Sequence, residues 1–246
     1  MFIPELPGYG LSSLPPKPDK RTVGNVIVEA LRSVFKNRPI IWCGHDRGGR
    51  VGHRLLVDND SKHNIKAAIL LDIVPTLEQW RSFSNPTAAV AYYHWPFLAT
   101  PMAPQLIEAM GGQTYFKNSF SRITGKNTEG AARLRENDAI DHYCHVMSKP
   151  EAIAGACADY ASGAGEEVQR QGEDQKAGRK VKVPTMLLYS ASNLGSMHDV
   201  EVVWPKWVEG ELKCVGIPDG VGHYIPEEAP DRTAKLIMEW VDKYGK

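Results

Sequence analysis

Apolar positions recur along this chain in two distinct ways. Short apolar runs bounded by Gly, Pro, Asp or Asn read as strands: Phe2-Ile3-Pro4, Ile40 to Cys43, Ile65 to Asp72, Thr185 to Ser190 and Glu211 to Gly216. Val23, Ile27, Ala30, Leu31 and Val34 repeat instead at helical spacing, as do Ala234, Ile237, Trp240 and Val241, which predicts amphipathic helices over 23–35 and 231–241. The run Ala67-Ala68-Ile69-Leu70-Leu71 does not alternate, as expected of a parallel strand buried on both faces. From about Leu77 to Lys182 the pattern changes to helical segments broken by Pro86, Pro96, Pro101, Pro104 and Pro150. A charged stretch, Glu166 to Lys182, leads back to the strands. The expected architecture is α/β: a mostly parallel sheet in a core of residues 1–76 and 183–246, with a helical cap over 77–182 inserted after the strand that ends at Asp72.

The sharpest local feature is where the run Ile40-Ile41-Trp42-Cys43 meets Gly44-His45-Asp46-Arg47-Gly48 and then a helix-compatible stretch to Arg54. Strand, tight turn and helix place Asp46 at the turn, with glycines two positions away on either side. A carboxylate held there can attack carbon and form an ester. The same residues also read as a Gly-rich turn with an Asp capping the helix. Arg47 and Arg50 lie three apart on one helix face beside Asp46, a spacing suited to gripping a carboxylate-bearing substrate, whereas Arg54 reads as a solvated position. Gly48 and Gly52, four apart, read as a bare stripe that presses on the sheet.

The segment Gly44-His45-Asp46-Arg47-Gly48-Gly49-Arg50-Val51-Gly52-His53-Arg54 resembles the signature of the fluoroacetate (haloacetate) dehalogenases, α/β-hydrolase-fold enzymes related to epoxide hydrolases and haloalkane dehalogenases. Further segments extend the resemblance over most of the chain. Asp72-Ile73-Val74-Pro75-Thr76 resembles the segment holding the acid of the family's triad. The more usual place for that acid, after Thr185 to Ser190, holds Asn193, and Asp199 is a distant second candidate. Gly220-Val221-Gly222-His223 resembles the site of the catalytic histidine, so the resemblance implies Asp46, Asp72 and His223 as nucleophile, acid and base. Tyr93-His94-Trp95 and Asp159-Tyr160 resemble the lid segments whose His, Trp and Tyr hold the departing halide, which would assign His94, Trp95 and Tyr160. The match departs at Pro96 and Ala161, where the family carries an aromatic residue and an arginine.

Glu5-Leu6-Pro7-Gly8-Tyr9-Gly10 resembles the segment after the family's fourth strand, so three strands and one oxyanion loop of the family are expected to be missing. Their absence would leave a gap beside the strand Ile40 to Cys43.

Composition narrows the classes. Over 246 residues, Lys+Arg and Asp+Glu balance at 29 each, so no broad field draws nucleic acid or a membrane surface, and attraction for a small anionic substrate must be local. No apolar run reaches membrane-spanning length. Cys43, Cys144, Cys157 and Cys214 lack C-x-x-C spacing, and two of them fall in strands expected to be buried, so reduced thiols are expected. His142-Tyr143-Cys144-His145 carries ligand-type residues, but no fourth ligand is identifiable, and a lid helix is the expectation. The chemistry implied needs no metal or organic cofactor. The resemblance implies a cytosolic enzyme, in this family often a homodimer. Two alternatives stand beside dehalogenation: an epoxide hydrolase using Tyr92, Tyr93 or Tyr160 as acids, and a non-catalytic remnant lacking the front strands.

Overall fold

A computed structural model describes residues 1–245. The chain divides into two compact units, one of Met1–Lys36, Thr76–Arg122 and Asn137–Glu173, the other of Asn37–Pro75, Ile123–Glu136 and Asp174–Lys246.

The second unit holds a four-stranded, all-parallel sheet: β1 (Ile40–His45), β2 (Ile65–Leu71), β3 (Thr185–Ser190) and β4 (Leu212–Ile217), paired in the order β1-β2-β3-β4. Helix α2 (Arg47–Asp58) makes the crossover from β1 to β2. The interior strand β2 is solvent-excluded from Ala67 to Leu71, which explains its unbroken apolar run. On one face Ile69, Leu71, Met186 and Leu188 pack against Trp240 of the C-terminal helix Pro230–Tyr244. Burying each such side chain stabilises the fold by about 1.5–3 kcal/mol. β2 is the one partner of β1 among the described residues, so β1 forms an edge of the sheet. Cys43, expected to be buried, is exposed there.

The first unit is helical. Helix α1 (Lys20–Phe35) begins at Asp19, whose side chain accepts the Thr22 N–H at 3.1 Å. Trp95, Leu98, Ile107, Tyr115, Phe116, Ile153 and Tyr160 share its core. The helix Pro150–Ala164 lies so close to the N-terminal loop that a Cβ on Gly155 would sit 1.9 Å from the Gly8 carbonyl oxygen.

The structure differs from the sequence expectations at several places. Residues 2–4 form no strand; Ile3 is exposed, and Phe2 packs edge-on against Phe35 with ring centroids 6.4 Å apart. Residues 1–36 group with the cap helices because buried Lys20 and Tyr9 both bind the Asp159 carboxylate. Residues 123–136 group with the sheet through backbone bonds from His223 to Ile123 and from Asn127 to Gly220. The charged stretch from Glu166 begins as the helix Glu166–Lys176, which buries Glu167, Gln171 and Asp174.

Candidate active site

The turn at Asp46 carries backbone strain. Its φ of 43° and ψ of −110° lie where side-chain-bearing residues are rare, and its carboxylate makes no capping bond to α2. The capping alternative is thereby removed. Gly44 is required by close approach, since a Cβ there would fall 2.4 Å from the backbone of Gly48. Gly48 is not required by space around its own Cβ position, which meets nothing within 4 Å. The stripe that presses on the sheet is Gly49 and Gly52, not Gly48 and Gly52. A Cβ on Gly52 would sit 2.2 Å from Nε1 of Trp42, and that same Nε1–H donates to the Gly48 carbonyl at 3.0 Å.

Strand ends bring the other groups into line. Asp46 N–H donates to Leu71 O at 3.2 Å and Asp72 N–H to Leu188 O at 2.7 Å, so both aspartates sit one step past neighbouring strands, at their carboxyl ends. The His223 loop leaves β4, and three strand spacings of about 4.8 Å separate β4 from β1. Each strand end holds this loop in turn. Ser190 Oγ, ending β3, donates to Val221 O; Asp72, after β2, accepts His223 Nδ1–H at 2.8 Å; His45, ending β1, donates from Nε2 to His223 O at 2.9 Å. The second Asp72 oxygen accepts the Ser190 N–H at 2.7 Å. From the other side, the buried Glu228 carboxylate accepts three backbone N–H groups, from Gly125, Gly222 and Tyr224.

Asp46, Asp72 and His223 therefore converge, with His223 Nε2 3.8 Å from Asp46 Oδ2. Asp72's side chain is fully buried, while Asp46's is 30% exposed. Burial opposes a charge on His223, but the nearby Asp46 carboxylate and the hydrogen bond and charge of Asp72 raise its pKa from 6.5 to about 10. Burial likewise opposes ionisation of Asp46. The close approach of His223 and the charges of His223, Arg47 and Arg50 nevertheless hold it well below the usual carboxylate range.

Arg47 and Arg50 are 7% and 5% exposed, and Arg50 Nε lies 3.7 Å from Asp46 Oδ1 while its Nη1 donates to Val74 O at 2.9 Å. Arg54 is not solvated: it is 1% exposed and paired with Asp58 and Asp174 at 2.7 and 2.6 Å. Asp199 serves as the N-cap of the short helix Val200–Val203 and Asn193 donates its backbone N–H to Ser190 Oγ, while the acceptor on His223 Nδ1 is Asp72.

In the first unit His94, Trp95 and Tyr160 meet in one aromatic cluster. The Tyr160 ring stands edge-on to both, with centroids 5.8 Å from His94 and 5.5 Å from Trp95. Ser190, His45 and Glu228 were not singled out by sequence reasoning as site residues. Of these, His45 alone carried a signal, its place inside the elbow segment.

No protein-family model matches the chain. It is 29% identical over 245 residues to a fluoroacetate dehalogenase of Burkholderia sp., covering 96% of this chain and 76% of that protein. It is 25% identical over 243 residues to a soluble epoxide hydrolase of Corynebacterium sp. (strain C12), covering 98% of this chain and 80% of that protein. Among solved structures, a protein of Nostoc sp. PCC 7120 provisionally assigned as an α/β-hydrolase superposes with a TM-score of 0.81 at 30% identity, over 95% of this chain and 78% of that one.

Proposed function

We propose that this chain, which belongs to the α/β-hydrolase superfamily, removes halide from short 2-haloacids of the haloacetate type. Asp46 attacks the α-carbon as the carbon–halogen bond breaks, leaving halide and an ester on the Asp46 carboxyl. His223 then takes a proton from water, and the hydroxide adds to the ester carbonyl. The 2-hydroxyacid departs and the Asp46 carboxylate is restored. Asp72 orients His223 and balances the imidazolium. The first backbone N–H of α2, that of Arg47, supplies half of an oxyanion hole for the charge formed at Asp46.

One observation carries this reading. Two nearly buried guanidinium groups, Arg47 and Arg50, stand within one helical turn of an ionised nucleophile. An anionic substrate needs them to offset its repulsion from Asp46, and a neutral substrate does not. His94, Trp95 and Tyr160 supply N–H and O–H donors for the halide as charge grows on it.

The pairing of His223 also orders the two half-reactions. In the free enzyme the Asp46 charge helps keep His223 protonated. Esterification removes that charge, so the Nε2 proton passes to solvent and His223 becomes a base only after the first step. Epoxide hydrolysis remains the second reading, favoured by the likeness to the Corynebacterium enzyme and by Tyr92, Tyr93 and Tyr160.

Halide release from fluoroacetate and chloroacetate, set against diol formation from styrene oxide, separates the two. A single turnover in isotope-labelled water should place label in the Asp46 carboxyl. Diol without halide, or label absent from Asp46, rejects the first reading.

A further inference from the structure

Arg122, at the end of the helix Gly112–Ile123, places Nη2 2.9 Å from Nδ1 of His94. A guanidinium has only donors, so this hydrogen bond exists only when Nδ1 is an unprotonated acceptor. The ring proton is then on Nε2, and the ring is neutral. Arg122 is itself held from two further directions. Its Nη1 donates to Ala91 O, and its guanidinium lies over the Tyr93 ring, 5.2 Å from the centroid. Both anchors belong to the segment that carries His94, so three contacts aim this exposed guanidinium at Nδ1.

We propose that Arg122 is a positioning residue for the leaving group: it fixes His94 as the Nε2–H tautomer, which makes that ring a donor toward an anion. This rests on the halide role given to His94 above. In the other tautomer Nε2 would present a lone pair, which repels a halide. Arg122 also sets a permanent positive charge behind the donor, where it strengthens a hydrogen bond to an anion. The effect should be largest for fluoride, the poorest leaving group, whose departure depends most on converging donors.

The test compares wild type with Arg122→Met, which has no donor, and Arg122→Lys, whose ammonium can still donate to Nδ1. Nitrogen-15 NMR of the imidazoles, with His94 assigned through His94→Gln, reads the tautomer without reference to activity. Wild type should show a protonated Nε2 and an acceptor Nδ1, R122M a mixture, and R122K the wild-type pattern. In steady-state kinetics R122M should lower kcat on fluoroacetate by about tenfold, with a smaller loss on chloroacetate and little change in KM. R122K should recover most of that loss. An unchanged His94 tautomer in R122M overturns the proposal. So does an equal loss on both substrates that tracks a lowered Tm, the result expected of a merely structural residue. Wild type releasing halide from neither haloacetate would instead refute the dehalogenase reading, while the NMR comparison would still decide what Arg122 does to His94.

Discussion

His45 and His223 are joined twice: His45 Nε2 donates to the His223 carbonyl at 2.9 Å, and the two rings lie with centroids 4.6 Å apart. Burial, followed by the charge of His223, lowers the His45 pKa to about 4, so the ring is a neutral donor at working pH. It therefore supports the base without adding a competing charge. Replacing His45 by Leu should slow ester hydrolysis by about tenfold and leave ester formation nearly unchanged. His45→Gln, which retains a donor, should lie between. Rapid-quench measurement of the Asp46 ester checks this, and equal effects on both steps would contradict it.

Asp72 has both oxygens engaged, one by the Ser190 N–H and one by His223 Nδ1–H. Asp72→Asn keeps the shape but loses the charge and can turn an N–H toward His223. Turnover should fall by about a thousandfold or more through tautomer loss. A burst of one halide per active site should survive, because the first half-reaction needs no base. Loss of the burst together with turnover would assign Asp72 a role in the first step as well.

The helix packing makes a paired prediction. Gly52→Ala drives a methyl into the Trp42 ring and should destabilise the fold by about 1–3 kcal/mol. Gly48→Ala meets open space and should stay within about 0.5 kcal/mol of wild type in stability. Urea midpoints of the two variants decide it, and a reversed order would refute the packing described for α2.

Stability should peak near neutral pH. Burial, then nearby cationic neighbours, lowers the pKa of His45, His53 and His198 from 6.5 to about 4, 3 and 4. As pH falls through 6.5 the unfolded chain takes up three protons that the folded chain refuses, so stability declines toward pH 4. His223 acts oppositely. With its folded pKa raised to about 10, its contribution is complete below pH 6.5 and is lost as pH rises through about 10. Cys43, Cys157 and Cys214, pushed up by desolvation from 9.0 to about 11, add to the alkaline loss from about pH 9, so below that pH the alkaline limb is set by His223 alone and the acid limb by three histidines. His53→Phe, between Trp204 and Trp207, should remove one proton from the acid limb. Denaturation midpoints from pH 4 to 10 check both limbs, and a flat acid limb would reject the assignment of the buried histidines.

Much of this molecule was legible in its residues because local periodicity and strand-end position report directly on burial. The strands at 40–45, 65–71, 185–190 and 212–217 follow from short apolar runs and the turn at Asp46 from the strand–turn–helix pattern, whereas Asp72 and His223 are implied by resemblance to a known family. What escaped depends on long-range partners. Arg54 has a charged, exposed-looking sequence context, yet it is buried because Asp174, 120 residues away, comes to meet it. Cys43 reads as buried because it falls in an apolar strand, and it is exposed on β1, an edge of the sheet. Gly48 belongs to a recognisable turn, but the crowding belongs to Gly44, and only the backbone path distinguishes them. Phe2-Ile3-Pro4 has strand-like residues and no neighbouring strand to pair with.

Glu228 gathers amide hydrogens from Gly125 on one side and from Gly222 and Tyr224 on the other. Gly125 is 103 residues from that carboxylate in sequence, in the short loop between the helices Gly112–Ile123 and Thr128–Arg133. A one-residue insertion beside Gly125 would pull the imidazole out of alignment as surely as a change next to His223. Mutational tolerance around Gly125 should therefore resemble that of a catalytic loop rather than that of a surface linker.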